Sequence, residues 1–287
     1  MKKPVITGIQ RSSYFSPNHI GNDAAIFNGV TGYLLEKGYP VSVCDEKDMF
    51  SLSENPKYVF TMMREPEALK RMQQWEQEGC RCINSAFGIG NCARERMTRL
   101  LLENHIPYPD SIIAHTNEQV KPLIEQSGFK SCWVKRGDFH AIHREDVAYA
   151  RHPEEAQELV SEYALRNIDK VVISTHLPGD LIKVYGVEGA SFFYWFYPQE
   201  KCHTKFGWEE VNGKVKEIPF DNEHLRDLFQ KAAHVLRLKI YGGDCIISPD
   251  GTIHIIDFND WPSFAPCRNE VIPAIGEAII KELKIEN

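Results

Sequence analysis

The chain has 287 residues, of which 43% are hydrophobic and 25% charged, a balance typical of a folded globular protein rather than a disordered chain or a coiled coil. Its net charge of −7 argues against a nucleic-acid partner held by bulk electrostatics. The longest apolar run, residues 190–197, is too short to span a membrane, and eight cysteines are too few for a disulfide scaffold. The N-terminal residues lack the apolar stretch of a secretory signal. We therefore expect a cytoplasmic protein of about two domains that does not engage membranes.

The first 85 residues predict alternating strands and helices. Gly38 and Gly79 each follow a predicted helix, at the position where glycine is favoured. Strands are predicted over residues 4–10, 41–44, 58–62 and 82–84, and helices over residues 22–37 and 65–78. Alternation of this kind indicates an α/β unit built on a parallel sheet.

The remainder of the chain predicts a mixed α+β unit with antiparallel strands. Two hairpins are expected, one turning at Glu188-Gly189 and one turning at Asn212-Gly213 within residues 206–218. Helices are predicted over residues 91–104, 120–127, 154–166, 222–237 and 270–283, and strands over residues 132–135, 146–150, 170–174, 181–187, 190–197, 244–248 and 252–258.

Polar residues stand at the ends of the last predicted hairpin, far from its Pro249-Asp250-Gly251 turn. Asp257 and Asn259 project from one face, because strand side chains repeat every two residues. Counting back from the turn puts Asp244 opposite position 255, 256 or 257, depending on the loop type. Two carboxylates and an amide oxygen near one point suit Mg²⁺. The alternative is that these residues only end their strands at solvent, although Asp257 follows the apolar run IHII, where an unpaired carboxylate is costly.

Two lysines are candidates for binding phosphate. Lys135 ends a predicted strand in the most basic stretch of the chain, and Lys183 lies on another strand between two apolar residues. A lysine ammonium is a compact charge for a phosphate group. Two alternatives stay open: Lys135 as part of a solvated loop, and Lys183 as a charge that protects an edge strand from aggregation.

These motifs, in this order, resemble the ATP-grasp superfamily, which includes D-alanine–D-alanine ligase, the ribosomal-protein glutamate ligases and inositol trisphosphate kinase. The most specific likeness is Asp244, followed thirteen residues later by DFN and then by WPSF. This pattern is similar to the family's acid, its acid-x-Asn motif and its Pro-containing loop. The resemblance covers about residues 80–265 and implies an ATP-grasp fold, in the α/β and α+β classes, behind an N-terminal Rossmann-like domain.

The resemblance also implies a division of the chain and a role for each candidate residue. Residues 1–85 would form the N-terminal domain and residues 86–287 the ATP-grasp domain, with a nucleotide-clamping lobe at about 110–180 and a metal-binding lobe at about 181–287. The implied nucleotide contacts are Arg94, Lys135, Ser174, Thr175, His176 and Lys183; the implied metal ligands are Asp244, Asp257 and Asn259; and the implied catalytic residues are Lys183 and Arg268, the latter gripping an anionic substrate.

The function that the resemblance implies is ATP-dependent ligation. A carboxylate would be activated as an acyl phosphate and attacked by an amine, with ATP and Mg²⁺ as cofactors and small-molecule carboxylates and amines as substrates. The strand FFYWF lacks the basic residue that many members place there, a gap that Lys205 or Arg268 would fill. A small-molecule kinase, a non-catalytic nucleotide-binding protein and a homodimeric state stay open as alternatives.

Overall fold

The computed structural model describes residues 3–17, 19–139, 143–198 and 211–283. Within these ranges the strands form three four-stranded sheets, each drawn from one stretch of the chain. The strands are β1 Ile6–Gln10, β2 Val41–Asp45, β3 Tyr58–Thr61, β4 Arg81–Ile83, β5 Ser111–His115, β6 Cys132–Arg136, β7 Val147–Ala150, β8 Lys170–Thr175, β9 Asp180–Val187, β10 Phe193–Phe196, β11 Ile240–Ile247 and β12 Ile253–Asp260. The helices are α1 Ile20–Glu36, α2 Pro66–Gln77, α3 Ala86–Asn91, α4 Arg94–Glu103, α5 Lys121–Gln126, α6 Pro153–Leu165, α7 Asn222–Leu236 and α8 Arg268–Glu282. No helix in the described part of the chain is long and apolar enough to cross a membrane.

The first sheet is parallel and has the order β2-β1-β3-β4, which confirms the α/β prediction for the N-terminal residues. The order reverses between β1 and β3, the place where sheets of this kind receive ligands at the carboxyl ends of their strands. Helix α8, from the far end of the chain, packs against α1 and shares a hydrophobic core with Ile6 and Phe60. The division at residue 85 stays a prediction, and α8 contributes to the N-terminal core from outside that range.

The second sheet is antiparallel and has the order β5-β8-β6-β7. Ala114, Val134 and Ile173 point from it into a core that α5 and α6 cover. No strand was predicted at β5, which follows the segment IPYP, where prolines favour a loop. Pairing with β8 makes this segment a strand, and such a long-range contact has no local signature.

The third sheet is antiparallel and has the order β10-β9-β11-β12. One of its faces packs against α4 and α7 through residues such as Ile182, Phe229 and Ile255. The predicted hairpin at Glu188-Gly189 is present as the antiparallel pair β9–β10. The other face of the sheet carries the polar candidates.

The second predicted hairpin is wrong within residues 211–218. Residues 206–210 lie outside the described ranges, and residues 211–218 contain no strand. The N–H groups of Lys216 and Ile218 both donate to the buried carboxylate of Asp180, each over 2.8 Å. A side chain therefore takes the hydrogen bonds that a partner strand would otherwise accept.

The helix predicted over residues 91–104 begins three residues later in the structure, as α4, after a break that separates it from α3. Helix α3 ends at Asn91, and α4 begins at Arg94 after Ala93, which has extended backbone angles. The side chain of Asn91 donates to the carbonyl oxygen of Leu236 at the end of α7, over 3.1 Å. The break makes Arg94 the first residue of α4, and it directs the guanidinium of that residue toward the third sheet.

Candidate active site

A β-bulge at Ile256 sets the direction of the acids on β12. Ile253 and Ile255 point into the core beneath the sheet, and strict alternation would send Asp257 the same way. The pairing with β11 shifts between Cys245, which faces Ile255, and Asp244, which faces Asp257, so Ile256 is the extra residue. After the bulge Phe258 points into the core, and Asp257 and Asn259 take the opposite face. Two consecutive isoleucines in IHIID are the sequence signal of this change of phase.

Asp244 occupies the centre of the candidate site, between two strands. It faces Asp257 on β12 and Lys183 on β9, so one of the three registers left open by the sequence is the observed one. The ammonium of Lys183 donates to both oxygens of Asp244, over 3.0 and 3.1 Å. Lys183 therefore lies on the polar face beside an acid rather than standing alone at an edge.

Asp257 is bound by a cation from helix α4. Arg94, only 2% exposed, donates from Nη1 to Asp257 Oδ1 over 3.1 Å, and Asn259 donates to the other oxygen over 3.2 Å. Burial acts to raise the pKa of Asp257, but the charges of Arg94 and Lys135 outweigh it and leave the pKa below its usual range. The carboxylate is thus ionised at neutral pH. The Nε atom of Arg94 is buried and has no hydrogen-bond partner among the described residues.

Lys135 reaches the same place from the second sheet. Its ammonium donates to the carbonyl oxygen of the bulged Ile256, over 3.1 Å, and the residue is 6% exposed. Burial, followed by the nearby charge of Arg94, lowers the pKa of Lys135 to about 7. A buried lysine that is close to losing its proton is suited to an incoming anion, which restores the charged form.

The side chains of the candidate site offer oxygen ligands for Mg²⁺. Among the described residues, no group of three His, Cys, Asp or Glu side chains could form a metal cage. Asp244 and Asp257 supply two carboxylates and Asn259 an amide oxygen, and the cations Lys183 and Arg94 now neutralise the two acids. Mg²⁺ commonly binds through one or two carboxylates and completes its shell with water and substrate phosphates. The residues present therefore fit Mg²⁺ that is shared with a phosphate ligand.

The hinge between β8 and β9 holds the predicted adenine contacts, Ser174–His176. The N–H groups of Thr175 and His176 donate to the carbonyl oxygens of Asp110 and Ser131, over 2.9 and 3.0 Å. The Ser174 hydroxyl accepts from Ser111 over 2.9 Å. These two N–H groups are paired within the second sheet, and the adenine-binding role of the three residues stays a prediction.

His176 also belongs to an aromatic group on the second sheet. Trp133 Nε1 donates to His176 Nδ1 over 3.2 Å, and Tyr149 packs edge-on against the same imidazole, with ring centroids 5.3 Å apart. Burial lowers the pKa of His176, so the ring is neutral at pH 7 and can accept this hydrogen bond. Trp133 and Lys135 share one face of β6, because they are two residues apart.

Arg268 is the first residue of α8. Its Nη2 atom donates to Asn22 on α1 over 2.9 Å, while its Nε atom is buried without a partner among the described residues. The contact with Asn22 places Arg268 at the junction with the N-terminal sheet. Lys205, the other candidate for the missing basic residue, lies outside the described ranges.

Sequence reasoning missed Tyr108. Its hydroxyl donates to the carbonyl oxygen of Ile256 over 3.4 Å and accepts from Thr98 over 3.3 Å. Tyr108 and Lys135 thus bind the same bulge carbonyl. Tyr108 lies in the IPYP segment, where nothing in the local pattern distinguishes a site residue from a loop residue.

Comparison with known proteins connects this geometry to one fold. No protein-family model and no curated protein sequence matches the chain. Among solved structures, it is similar over its whole length to D-alanine–D-alanine ligase from Bacillus anthracis complexed with ATP, with 12% identity, a TM-score of 0.69 and 100% of each chain covered. It is also similar to the D-cycloserine synthetase DcsG, with 13% identity, a TM-score of 0.69 and 97% of this chain and 99% of that chain covered. The ATP-grasp ligase PsnB in complex with a minimal precursor gives 14% identity, a TM-score of 0.63 and coverage of 98% and 100%. The chain therefore has the ATP-grasp fold, with a Rossmann-like domain at its N-terminus.

Proposed function

We propose that this protein is an Mg²⁺- and ATP-dependent ligase that joins a carboxylate to an amine or a similar nucleophile. The observation that carries the proposal is the convergence, between two antiparallel sheets, of three cations and two acids: Arg94, Lys135, Lys183, Asp244 and Asp257. The similar structures include ligases, one of them complexed with ATP. The structural similarity to these ligases extends over nearly the full length of this chain and of theirs, which also supports the proposal.

The residues of the site suit the handling of a triphosphate. Lys135 comes from the second sheet and Lys183 from the third, so cations approach the phosphates from both sides. Asp244, Asp257 and Asn259 would hold Mg²⁺, which when bound neutralises developing phosphate charge. Arg94 keeps Asp257 ionised and oriented. Catalysis would then come from positioning and electrostatic stabilisation, without a side-chain nucleophile.

The proposed reaction has two steps. A carboxylate oxygen attacks the γ-phosphorus of ATP, the bond to ADP breaks, and an acyl phosphate forms. The amine then attacks the carbonyl carbon, inorganic phosphate leaves, and the amine gives up a proton to solvent. We place the acid substrate near Arg268, because the buried and unpartnered Nε atom of that residue is a donor suited to a carboxylate. This position also adjoins the reversal point of the N-terminal sheet.

Hydroxylamine trapping tests the reaction class. The protein is incubated with Mg²⁺, ATP, hydroxylamine and a panel of carboxylic acids that includes amino acids and peptides. A hydroxamate together with ADP is the expected product, because hydroxylamine intercepts an acyl phosphate. A stable phosphorylated product that resists hydroxylamine would instead identify a kinase. No ADP formation with any acid would leave the non-catalytic alternative.

Asp257→Asn tests the role of the acids in the same assay. We expect turnover to fall by about 100-fold or more, because the change removes a charged oxygen ligand. The exposed Asp169→Asn is the matched control and should keep wild-type turnover, since the Asp169 side chain is 75% exposed and pairs only with the exposed His115 among the described contacts. Thermal unfolding of both variants accompanies the assay, because Asp257 also neutralises the buried Arg94. Wild-type turnover in Asp257→Asn would overturn the metal-ligand assignment.

A further inference from the structure

Asp260 is a buried acid immediately beyond the candidate metal ligands. It ends β12, one residue after Asn259, but it points to the opposite face of the sheet, because strand side chains alternate. Only 2% of Asp260 is exposed. The mechanism proposed above gives this carboxylate no role.

Two arginines of the N-terminal domain hold Asp260. Arg64 donates from Nη2 to Asp260 Oδ1 over 2.8 Å and to its carbonyl oxygen over 3.2 Å. Arg11 donates from Nη2 to Asp260 Oδ2 over 3.4 Å and to the carbonyl oxygen of Trp261 over 3.3 Å. The arginines thus bind both the side chain and the backbone at the end of β12.

Further hydrogen bonds hold the side chain of Arg11 and the backbone of Arg64. Arg11 also donates from Nε to the carbonyl oxygen of Met62 over 3.0 Å and from Nη1 to Asp23 over 3.1 Å. Glu46, which is fully buried, accepts from the backbone N–H groups of Ser12, Arg64 and Glu65 over 2.6, 2.7 and 2.9 Å. One carboxylate therefore ties the segment after β1 to the segment after β3. The two segments flank the reversal point of the N-terminal sheet.

We propose that Arg11 and Arg64 are positioning residues, which hold the end of β12 through Asp260 so that Asp257 and Asn259 keep their direction in the site. The proposal rests on the function proposed above. The contacts are concentrated on two consecutive residues, Asp260 and Trp261, and half of them reach backbone carbonyls. Replacing a buried ion pair with apolar residues is often neutral for stability, so we assign this network a role in geometry, namely the direction of the end of β12.

The N-terminal domain would then act on the site without touching the nucleotide. Asp260 and Asn259 are adjacent, so a shift of the Asp260 backbone moves the amide ligand directly. Displacements of about 1 Å in a catalytic group are enough to cost about 100-fold in rate. The bulge at Ile256 makes the direction of Asp257 sensitive to such shifts, because it interrupts the regular hydrogen bonding between β11 and β12 just before that residue.

Hydrogen–deuterium exchange tests the proposal without requiring activity. Arg64→Met keeps the length of the side chain and removes the donor, and Asp260→Asn keeps the shape and removes the charge. In the nucleotide-free protein, we expect amide exchange at residues 257–261 to rise by about 10-fold or more in both variants. Glu67→Gln is the matched control: it removes an exposed carboxylate that pairs with Lys70 on α2, and should leave this segment unchanged. Exchange at 257–261 that equals wild type in folded Arg64→Met and Asp260→Asn overturns the proposal.

Binding of the non-hydrolysable analogue AMPPNP gives a second readout. We expect the Mg²⁺ concentration needed for half-maximal binding to rise about 5- to 10-fold in both variants, with binding in the absence of Mg²⁺ unchanged within about 2-fold. A purely structural role would instead weaken binding equally with and without Mg²⁺. Arg64→Lys keeps the charge but loses the planar fork of donors, so it should recover part of the wild-type Mg²⁺ dependence. It also replaces Arg64→Met in these measurements if Arg64→Met does not fold. If wild-type protein binds no AMPPNP at any Mg²⁺ concentration, the proposed function fails, and the exchange measurement still decides the positioning role.

Discussion

Asp244 lies directly opposite Asp257 on neighbouring strands of the third sheet, although the two carboxylates carry like charges. Like charges in such a pair destabilise an antiparallel sheet. Each acid is neutralised from a different direction, Asp244 by Lys183 on β9 and Asp257 by Arg94 on α4. The arrangement brings both acids to one point, where a divalent cation and an anionic ligand can be accommodated together.

Lys183→Met should weaken nucleotide binding while leaving the fold in place. Lys183 is partly exposed and pairs with Asp244, so its loss removes one cation for the phosphates and leaves an acid that water can still reach. We expect AMPPNP affinity to fall about 10- to 100-fold, measured by calorimetry with saturating Mg²⁺. Lys239→Met is the control, because Lys239 pairs with Glu188 and Glu282 away from the site. Equal affinity for wild type and Lys183→Met would remove Lys183 from the site.

Nucleotide binding should be linked to protonation of Lys135. The pKa of Lys135 lies at about 7, so the amine is mostly neutral above that pH, and a bound triphosphate favours the ammonium form. The number of protons taken up per bound nucleotide should therefore rise from about 0.5 at pH 7 to about 1 at pH 9. The affinity for the nucleotide should be weaker at pH 9 than at pH 7. Calorimetry in buffers with different ionisation enthalpies measures this number. Lys135→Met should abolish the uptake, and wild-type binding without proton uptake at pH 9 contradicts the prediction.

Deleting Ile256 should destroy the site by changing the phase of β12. Without the bulge residue, the alternation set by Ile253 and Ile255 carries Asp257 into the core. We expect AMPPNP affinity to fall by about 100-fold or more and the melting temperature to drop by about 5 °C or more. Ile256→Val keeps the bulge and should behave as wild type in both measurements. A deletion variant that binds AMPPNP normally would show that the bulge does not orient the acids.

Asn84→Ala should destabilise the protein without touching the candidate site. Asn84 is fully buried and joins β4 to β11: its Nδ2 donates to the carbonyl oxygen of Ile240 over 2.7 Å, and its Oδ1 accepts from Lys239 and Ile240, both over 2.9 Å. Leaving these groups unpaired should lower the free energy of unfolding by about 2–4 kcal/mol. Urea denaturation measures the change. Asn55→Ala, which removes one exposed hydrogen bond to Glu78, should stay within about 0.5 kcal/mol of wild type.

Local periodicity was enough to predict most of the framework. Alternating strands and helices predicted the parallel N-terminal sheet, and the turn at Pro249-Asp250-Gly251 placed Asp244 within one residue of its observed partner. Elements held only by distant contacts were missed: β5 depends on β8, and residues 216–218 depend on Asp180. The helix predicted over 91–104 begins only at Arg94, because the chain breaks at Cys92 and Ala93, beside the contact that Asn91 makes with α7.

By itself, the sequence determined the order of most elements, the resemblance to ATP-grasp proteins and the set of polar residues on β9, β11 and β12, because side-chain alternation and turn chemistry are local properties. Only the tertiary structure decided which charges meet. Arg94 and Asp257 are 163 positions apart, and Arg64 and Asp260 are 196 positions apart. Contacts at such separations depend on how whole layers pack, and a bulge of one residue reverses which face an acid occupies. The roles of Arg11, Arg64 and Tyr108 therefore emerge from packing, since nothing in their own segments distinguishes them.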